Sequence, residues 1–162
     1  MNSLPDRFDI SVTSEIGELE GVILHTPGIE MENMTPANAE RALYSDVLNL
    51  SVASAEYNQL KTVLEKTTNV FQVGDLLVDV LDNARVKSNL VEKICENENA
   101  EEIHDELLEM SKEELGRCLM EGVLMKKDNL SRFLSNERYS LRPLHNFFFT
   151  RDLAVAINDW VL

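Results

Sequence analysis

Apolar positions fall into three textures along the chain. In residues 10–73, Gly21-Val22-Ile23-Leu24-His25-Thr26 is a short run rich in apolar residues, closed by Pro27-Gly28. This predicts a buried strand that ends in a turn. Thr35-Pro36 predicts a helix start, with Thr as N-cap and Pro at the first helical position. From about Ser51, Val52, Ala55, Gln59/Leu60, Val63 and Leu64 keep near-helical spacing and predict a second helix with one apolar face. Asn69-Val70-Phe71-Gln72-Val73 predicts a second strand. Strand, helices, strand is a βαβ unit, whose crossover is expected to be right-handed.

Residues 75–140 carry helical periodicity and no strand signal. Leu76, Leu77, Val80 and Leu81 form one apolar face; Val86, Leu90, Val91 and Ile94 form another; Ile103, Leu107 and Leu108 form a third. Ser111-Lys112-Glu113-Glu114 is a capping box opening a helix with Leu115, Cys118 and Leu119. Leu130, Phe133 and Leu134 close the series. The pattern predicts a small antiparallel helical bundle with short loops.

The last texture begins at Pro143. Residues 147–149 and 153–157 are strand-like, Asn158-Asp159 is a turn, and Trp160-Val161-Leu162 begins another strand. A new hairpin strand of that length cannot fill its ladder. The expectation is therefore a fragment cut within a hairpin.

Composition narrows the function classes. Hydrophobic content is 44% over 162 residues, enough for a real core and too high for disorder. The net charge of −14 opposes binding to nucleic acid or to anionic membranes. The longest apolar run is about half a bilayer-spanning helix, and the N-terminus has no secretory pattern. Cys95 and Cys118 belong to no CxxC pair, which argues against a disulfide framework or a zinc site and fits a reducing cytoplasm.

One stretch resists a purely structural reading. Three phenylalanines, Phe147 to Phe149, stand directly before Thr150-Arg151-Asp152. Phenylalanine favours burial, whereas Arg and Asp resist it unless they are paired or bind something. On spacing alone, Arg151 and Asp152 form a local ion pair at a strand end. His25 is a strand packing residue, His104 is solvated among acids, and His145 borders the Phe-rich stretch.

Several motifs together carry a resemblance. Ser14-Glu15-Ile16-Gly17-Glu18-Leu19 precedes Val22-Ile23-Leu24-His25 and Pro27-Gly28. Thr35-Pro36-Ala37-Asn38 precedes Leu43-Tyr44-Ser45-Asp46, and Asn146-x-x-Phe149-Thr150-Arg151-Asp152 follows near the end. In this order and spacing, the chain resembles the N-terminal portion of arginine deiminase, in the guanidine-modifying superfamily. The resemblance implies a mixed α/β (α+β) chain in three parts. Residues 1–74 would be the first βαβ unit of an α/β propeller. Residues 75–140 would be an inserted helical bundle, matched by position and helical character. Residues 141–162 would start the next unit, truncated in its hairpin.

The implied reaction is hydrolysis of L-arginine to L-citrulline and ammonia, with no metal or cofactor. By resemblance, Asp152 is the catalytic carboxylate that grips the substrate guanidinium. Guanidinium is planar and always cationic, and it meets a carboxylate through two parallel hydrogen bonds. Phe149 would lie against the guanidinium plane. Asn146 and Leu43 would hold the amino-acid end. The nucleophilic cysteine, the histidine acid/base and a second carboxylate come from later units in this family. Cys95 and Cys118 read as structural thiols, so the 162-residue chain alone is expected to be inactive. Bare propeller surfaces imply self-association or a homo-oligomer. Two other functions stay open: a non-catalytic interaction module built on the acidic helices, or part of another guanidine-modifying enzyme such as an amidinotransferase.

Overall fold

The computed structural model describes residues 10–33, 48–126 and 138–161. The predicted Thr35-Pro36 helix, Leu43, and the Leu130, Phe133 and Leu134 series lie outside them. Strand β1 (Gly21–Leu24) pairs in parallel with β2 (Asn69–Gln72), in register from Gly21↔Asn69 to Leu24↔Gln72. Both are shorter than predicted. Past Leu24 the chain turns at Pro27-Gly28, and at Val73 it enters a helix.

Between the strands lie α1 (Ile29–Glu32) and α2 (Leu50–Leu64). Asn49 Oδ1 caps α2, accepting from the N–H groups of Ser51 and Val52 at 3.0 and 3.3 Å. The predicted apolar face of α2 does not turn inward: Val52 and Val63 are 53% and 59% exposed. The inward stripe carries Ser54, Tyr57 and Leu64, which are half-buried, so that Leu64 alone of the predicted apolar positions is partly covered. Polar anchors decide this rotation. The Tyr57 hydroxyl accepts from the His25 N–H at 3.2 Å, and Ser54 Oγ donates to the Pro27 carbonyl at 3.4 Å.

The core lies in the helices that follow: α3 (Val73–Leu81), α4 (Ala84–Glu98), a 3-10 turn (Glu101–Ile103), α5 (His104–Glu109) and α6 (Lys112–Glu121). Asn83 caps α4, and its C-cap Asn99 takes the left-handed conformation at φ 54°, which Asn tolerates. Ser111 Oγ accepts from the Glu114 N–H at 3.1 Å, as its capping sequence predicts. Leu81, Val91, Cys95, Ile103, Leu107, Leu115 and Leu119 bury together, with Leu141 added from further along. Lys87 Nζ donates to the carbonyls of Leu108 and Met110, closing the C-terminal end of α5 onto α4.

The absence of strands predicted for residues 75–140 is corrected here. Strand β3 (Val123–Leu124) pairs antiparallel with β4 (Tyr139–Leu141). Each is too short to show alternation in the sequence. Gly122 ends α6 at φ 83° and ψ 169°, a region open essentially to glycine. A Cβ there would stand 2.7 Å from the Leu141 carbonyl oxygen. Gly122→Ala is therefore expected to cost about 1–3 kcal/mol from backbone strain alone. Urea unfolding should show the loss, and an unchanged midpoint would mean that the turn relaxes freely.

The final segment also differs from expectation. Residues 145–148 form a turn, Phe149 leads out of it, and Thr150–Leu153 is a short helix, α7. β-propensity is realised only through cross-strand neighbours. Here the backbone bonds locally: Phe147 N–H to Leu144 O, Phe149 N–H to Asn146 O and Asp152 N–H to Phe149 O, each at 3.0 Å. The hairpin follows as β5 (Ala156–Ile157) and β6 (Trp160–Val161), turning at Asn158 with φ 53°. Asn158 also bridges to Val12 through two backbone bonds of 2.8 Å. The described residues thus form a mixed α/β chain with small, open two-stranded sheets. None of their helices is long and apolar enough to cross a membrane.

Candidate functional site

Parallel strands direct their carboxyl ends to one edge, where open α/β sheets place ligands. Beyond β1 at that edge comes His25-Thr26-Pro27-Gly28, and β2 ends at Gln72. Gln72 Oε1 accepts from the Thr26 N–H at 3.1 Å and from Thr26 Oγ1 at 3.2 Å, fastening the two strand ends together.

His25 is 7% exposed and Glu30 is 2% exposed. His25 Nε2 lies 2.9 Å from Glu30 Oε1. An ionised carboxylate only accepts, so Nε2 carries the hydrogen. The Gly28 N–H donates to the same oxygen at 2.7 Å. Burial works to raise the Glu30 pKa. The His25 hydrogen bond, the backbone N–H donors of Gly28 and Glu30, and the His25 charge outweigh it, so the carboxyl sits below the ordinary glutamate value. A Cβ on Gly28 would stand 2.6 Å from Glu30 Oε2, so glycine makes room for this carboxylate. Sequence reasoning placed His25 as a packing residue and missed Glu30. The signal available was a His and a Glu five residues apart across a Pro-Gly turn.

The Phe-rich segment packs onto this pair. His145 Nδ1 donates to the Glu30 backbone carbonyl at 2.6 Å. The Phe147 ring lies 4.9 Å from the His25 ring, tilted by 58°. Thr150 Oγ1 donates to the Ile23 carbonyl of β1 at 2.9 Å.

The sequence-predicted site residues sit among these attachments. Asn146 is half-buried. Phe149 is 46% exposed, and its ring centroid lies 4.3 Å from that of Phe148. Asp152 is exposed in α7, one turn beyond Phe149. Leu43 lies outside the described residues. Arg151 does not pair with Asp152: its Nη2 reaches Glu15 Oε1 at 3.3 Å. Among the described residues, the Asp152 carboxylate has no hydrogen-bond or ion-pair partner. A free carboxylate one turn from a half-exposed aromatic ring can take a planar cation, edge to the acid and face to the ring.

The thiols lie elsewhere. Burial, with help from the Glu101 charge, pushes the Cys95 thiol up. Burial also pushes the Cys118 thiol up; Arg117 opposes it, and Glu114, Glu121 and Glu106 add to it. Neither is a ready nucleophile. A recess of about 320 Å3 is lined by Glu92, Cys95, Glu96, Glu101, His104 and Asp105. It belongs to the helical region and includes none of the predicted site residues. His104 Nδ1 lies 2.9 Å from Asp105 Oδ1 there. The described residues contain no cluster able to hold a metal ion.

No protein-family model matches the chain. It is 31% identical to an arginine deiminase of Listeria innocua, over 94% of this chain and 40% of that protein. An arginine deiminase of Listeria monocytogenes matches to the same extent. One of Bacillus cereus is 30% identical over 94% of the chain and 41% of its own length. The chain is thus similar to arginine deiminases along almost its whole length, and it spans about 40% of theirs.

Proposed function

We propose that the chain is the N-terminal part of an arginine deiminase, hydrolysing L-arginine to L-citrulline and ammonia, and that it supplies one wall of the guanidinium cradle. The observation that carries this reading is the free Asp152 carboxylate one turn from the Phe149 ring, with Arg151 drawn off to Glu15. Asp152 binds the guanidinium edge, Phe149 covers its face, and Asn146 and Leu43 hold the amino-acid end. In this reading the nucleophile, the histidine and the second carboxylate come from residues outside this chain; burial pushes both thiols here up, which makes them poor nucleophiles.

In this reading residues 1–74 are the first α/β propeller unit, residues 75–140 an inserted helical bundle and residues 141–162 the start of the next unit. The reaction belongs to the cytoplasm. The test is turnover by the longer protein with L-arginine and with agmatine, which has the guanidinium but lacks the carboxylate. Citrulline formation from arginine, with agmatine a poor substrate, is the expected result. Equal use of agmatine would place the chain in another guanidine-modifying enzyme. For the chain alone, no citrulline is expected; citrulline release abolished by Cys95→Ser or Cys118→Ser would overturn the assignment.

The exposed apolar surface bears on assembly. Val155, Ile157, Trp160 and Val161 are at least half exposed around the hairpin. Contiguous patches above a few hundred Å2 are uncommon on soluble monomers, and open strand edges recruit strands. The chain should therefore self-associate through this region. Light scattering across a concentration series should show mass rising with concentration, with Trp160 fluorescence shifting to the blue. A monomer at high micromolar concentration with Trp160 still in water would contradict it.

A further inference from the structure

Three side chains attach the Phe-rich segment to the β1 turn, and they alternate with the candidate substrate residues. His145 and Phe147 flank Asn146, and Thr150 follows Phe149 and precedes Asp152 by two residues. Two of the three attachments lead to the same group. His145 Nδ1 donates to the Glu30 carbonyl at 2.6 Å, and Phe147 rests on the ring of His25, which the Glu30 carboxylate holds at 2.9 Å. The third, Thr150 to the Ile23 carbonyl, reaches β1 directly.

We infer that Glu30 is a positioning residue for the candidate guanidinium cradle, acting through His145 and through the His25–Phe147 contact. The inference rests on the function proposed above. The Glu30 carboxylate fixes the His25 ring by accepting from Nε2, and fixes the turn by accepting from Gly28 N–H. The Glu30 carbonyl presents an acceptor to His145 from the first turn of α1. At 2% exposure, water does not compete for these bonds. A carboxylate is suited to this place because it accepts two donors on one oxygen without needing to donate. Reaction geometry is sensitive to such supports: a displacement of about 1 Å transmitted from outside the chemistry costs on the order of a hundredfold in rate.

The test has two arms. In the first, amide resonances of the isotope-labelled 162-residue chain are compared for wild type, Glu30→Ala, Glu30→Gln and His145→Phe. Glu30→Ala should shift or broaden Asn146, Phe149 and Asp152 while leaving Leu107 and Leu115 in place. Glu30→Gln, which keeps an acceptor oxygen, should restore most of the wild-type pattern. If Glu30→Ala unfolds the chain, His145→Phe decides. It removes the donor to the Glu30 carbonyl while keeping the Glu30 carboxylate, and should move residues 146–152 without disturbing Gly28. Unchanged resonances for residues 146–152 in His145→Phe, or in a folded Glu30→Ala, overturn the inference. In the second arm, His145→Phe in the longer protein should lower kcat/KM for L-arginine by about ten- to a hundredfold at an unchanged melting temperature. An active wild type with an unaffected variant overturns the positioning role. A wild type inert toward arginine overturns the proposed function instead, and the resonance arm still reports whether Glu30 holds the segment.

Discussion

In the arginine deiminase proposed above, Asp152→Asn is expected to lower kcat/KM for L-arginine by about 30-fold to several-thousand-fold. Asparagine keeps the shape of aspartate but loses the charge, and it presents an amide donor toward a cation. Removing one partner of a desolvated, hydrogen-bonded charge pair costs about 2–5 kcal/mol, and roughly each 1.4 kcal/mol is tenfold in rate. In this chain Asp152 is exposed, so the full effect needs the site to be covered by the rest of the protein when substrate is bound. The substitution should leave the fold intact, because the carboxylate has no partner among the described residues and only its backbone N–H is used, toward Phe149. Steady-state kinetics beside a melting curve separates the two effects. Near-wild-type turnover would demote Asp152 to a surface acid.

The largest effect on stability is expected at Leu115, on α6. Its side chain is 0% exposed, within the cluster formed by Leu81, Val91, Leu107 and Leu119. Leu115→Ala removes buried methyl groups and leaves a cavity that neighbouring helices fill only in part, a loss of about 2–5 kcal/mol. For a chain of this size that is a fall in melting temperature of roughly 5–20 °C. Val52→Ala on α2 makes the contrast. Val52 is 53% exposed, so a change within about 0.5 kcal/mol is expected although the sequence places it on an apolar face. Thermal unfolding by circular dichroism measures both. Equal losses at the two positions would mean that α2 buries its Val52 face after all.

Those two residues also mark where the sequence was legible. Leu115 lies in a strongly periodic segment opened by a capping serine, and both the helix and its inward face were readable from the pattern. Strands β1 and β2 and the start of α2 were readable for the same reason: apolar runs bounded by turn or cap residues. The orientation of α2 was not. Its inward stripe is selected by Tyr57 and Ser54 reaching the His25 turn, and a hydrophobic pattern carries no information about which hydroxyl finds which backbone group. Strands β3 and β4 escaped because two or three residues cannot display a period. Residues 147–149 were misread as a strand because three phenylalanines favour one intrinsically, while the local backbone bonds they make are invisible to composition.

The candidate site divides in the same way. Asn146, Phe149 and Asp152 were named from a spaced motif, and the structure keeps them on one short segment. Two observations bearing on their use depended on long-range geometry. One is the diversion of Arg151 to Glu15, across most of the chain length; the other is the buried Glu30 beneath the segment. The Arg151–Glu15 and His145–Glu30 contacts join residues more than a hundred positions apart, so no local pattern marks them.

The alternation of attachments and candidate ligands across residues 145–152 makes that stretch indivisible to insertion or deletion. His145, Phe147 and Thr150 face the scaffold, and Asn146, Phe149 and Asp152 are the residues assigned to substrate. Adding or removing one residue within the stretch would put the later residues out of step with the earlier ones, so that anchors and ligands could not all keep their places. The segment is therefore a ruler of fixed length, on which anchors and ligands alike must keep their marks.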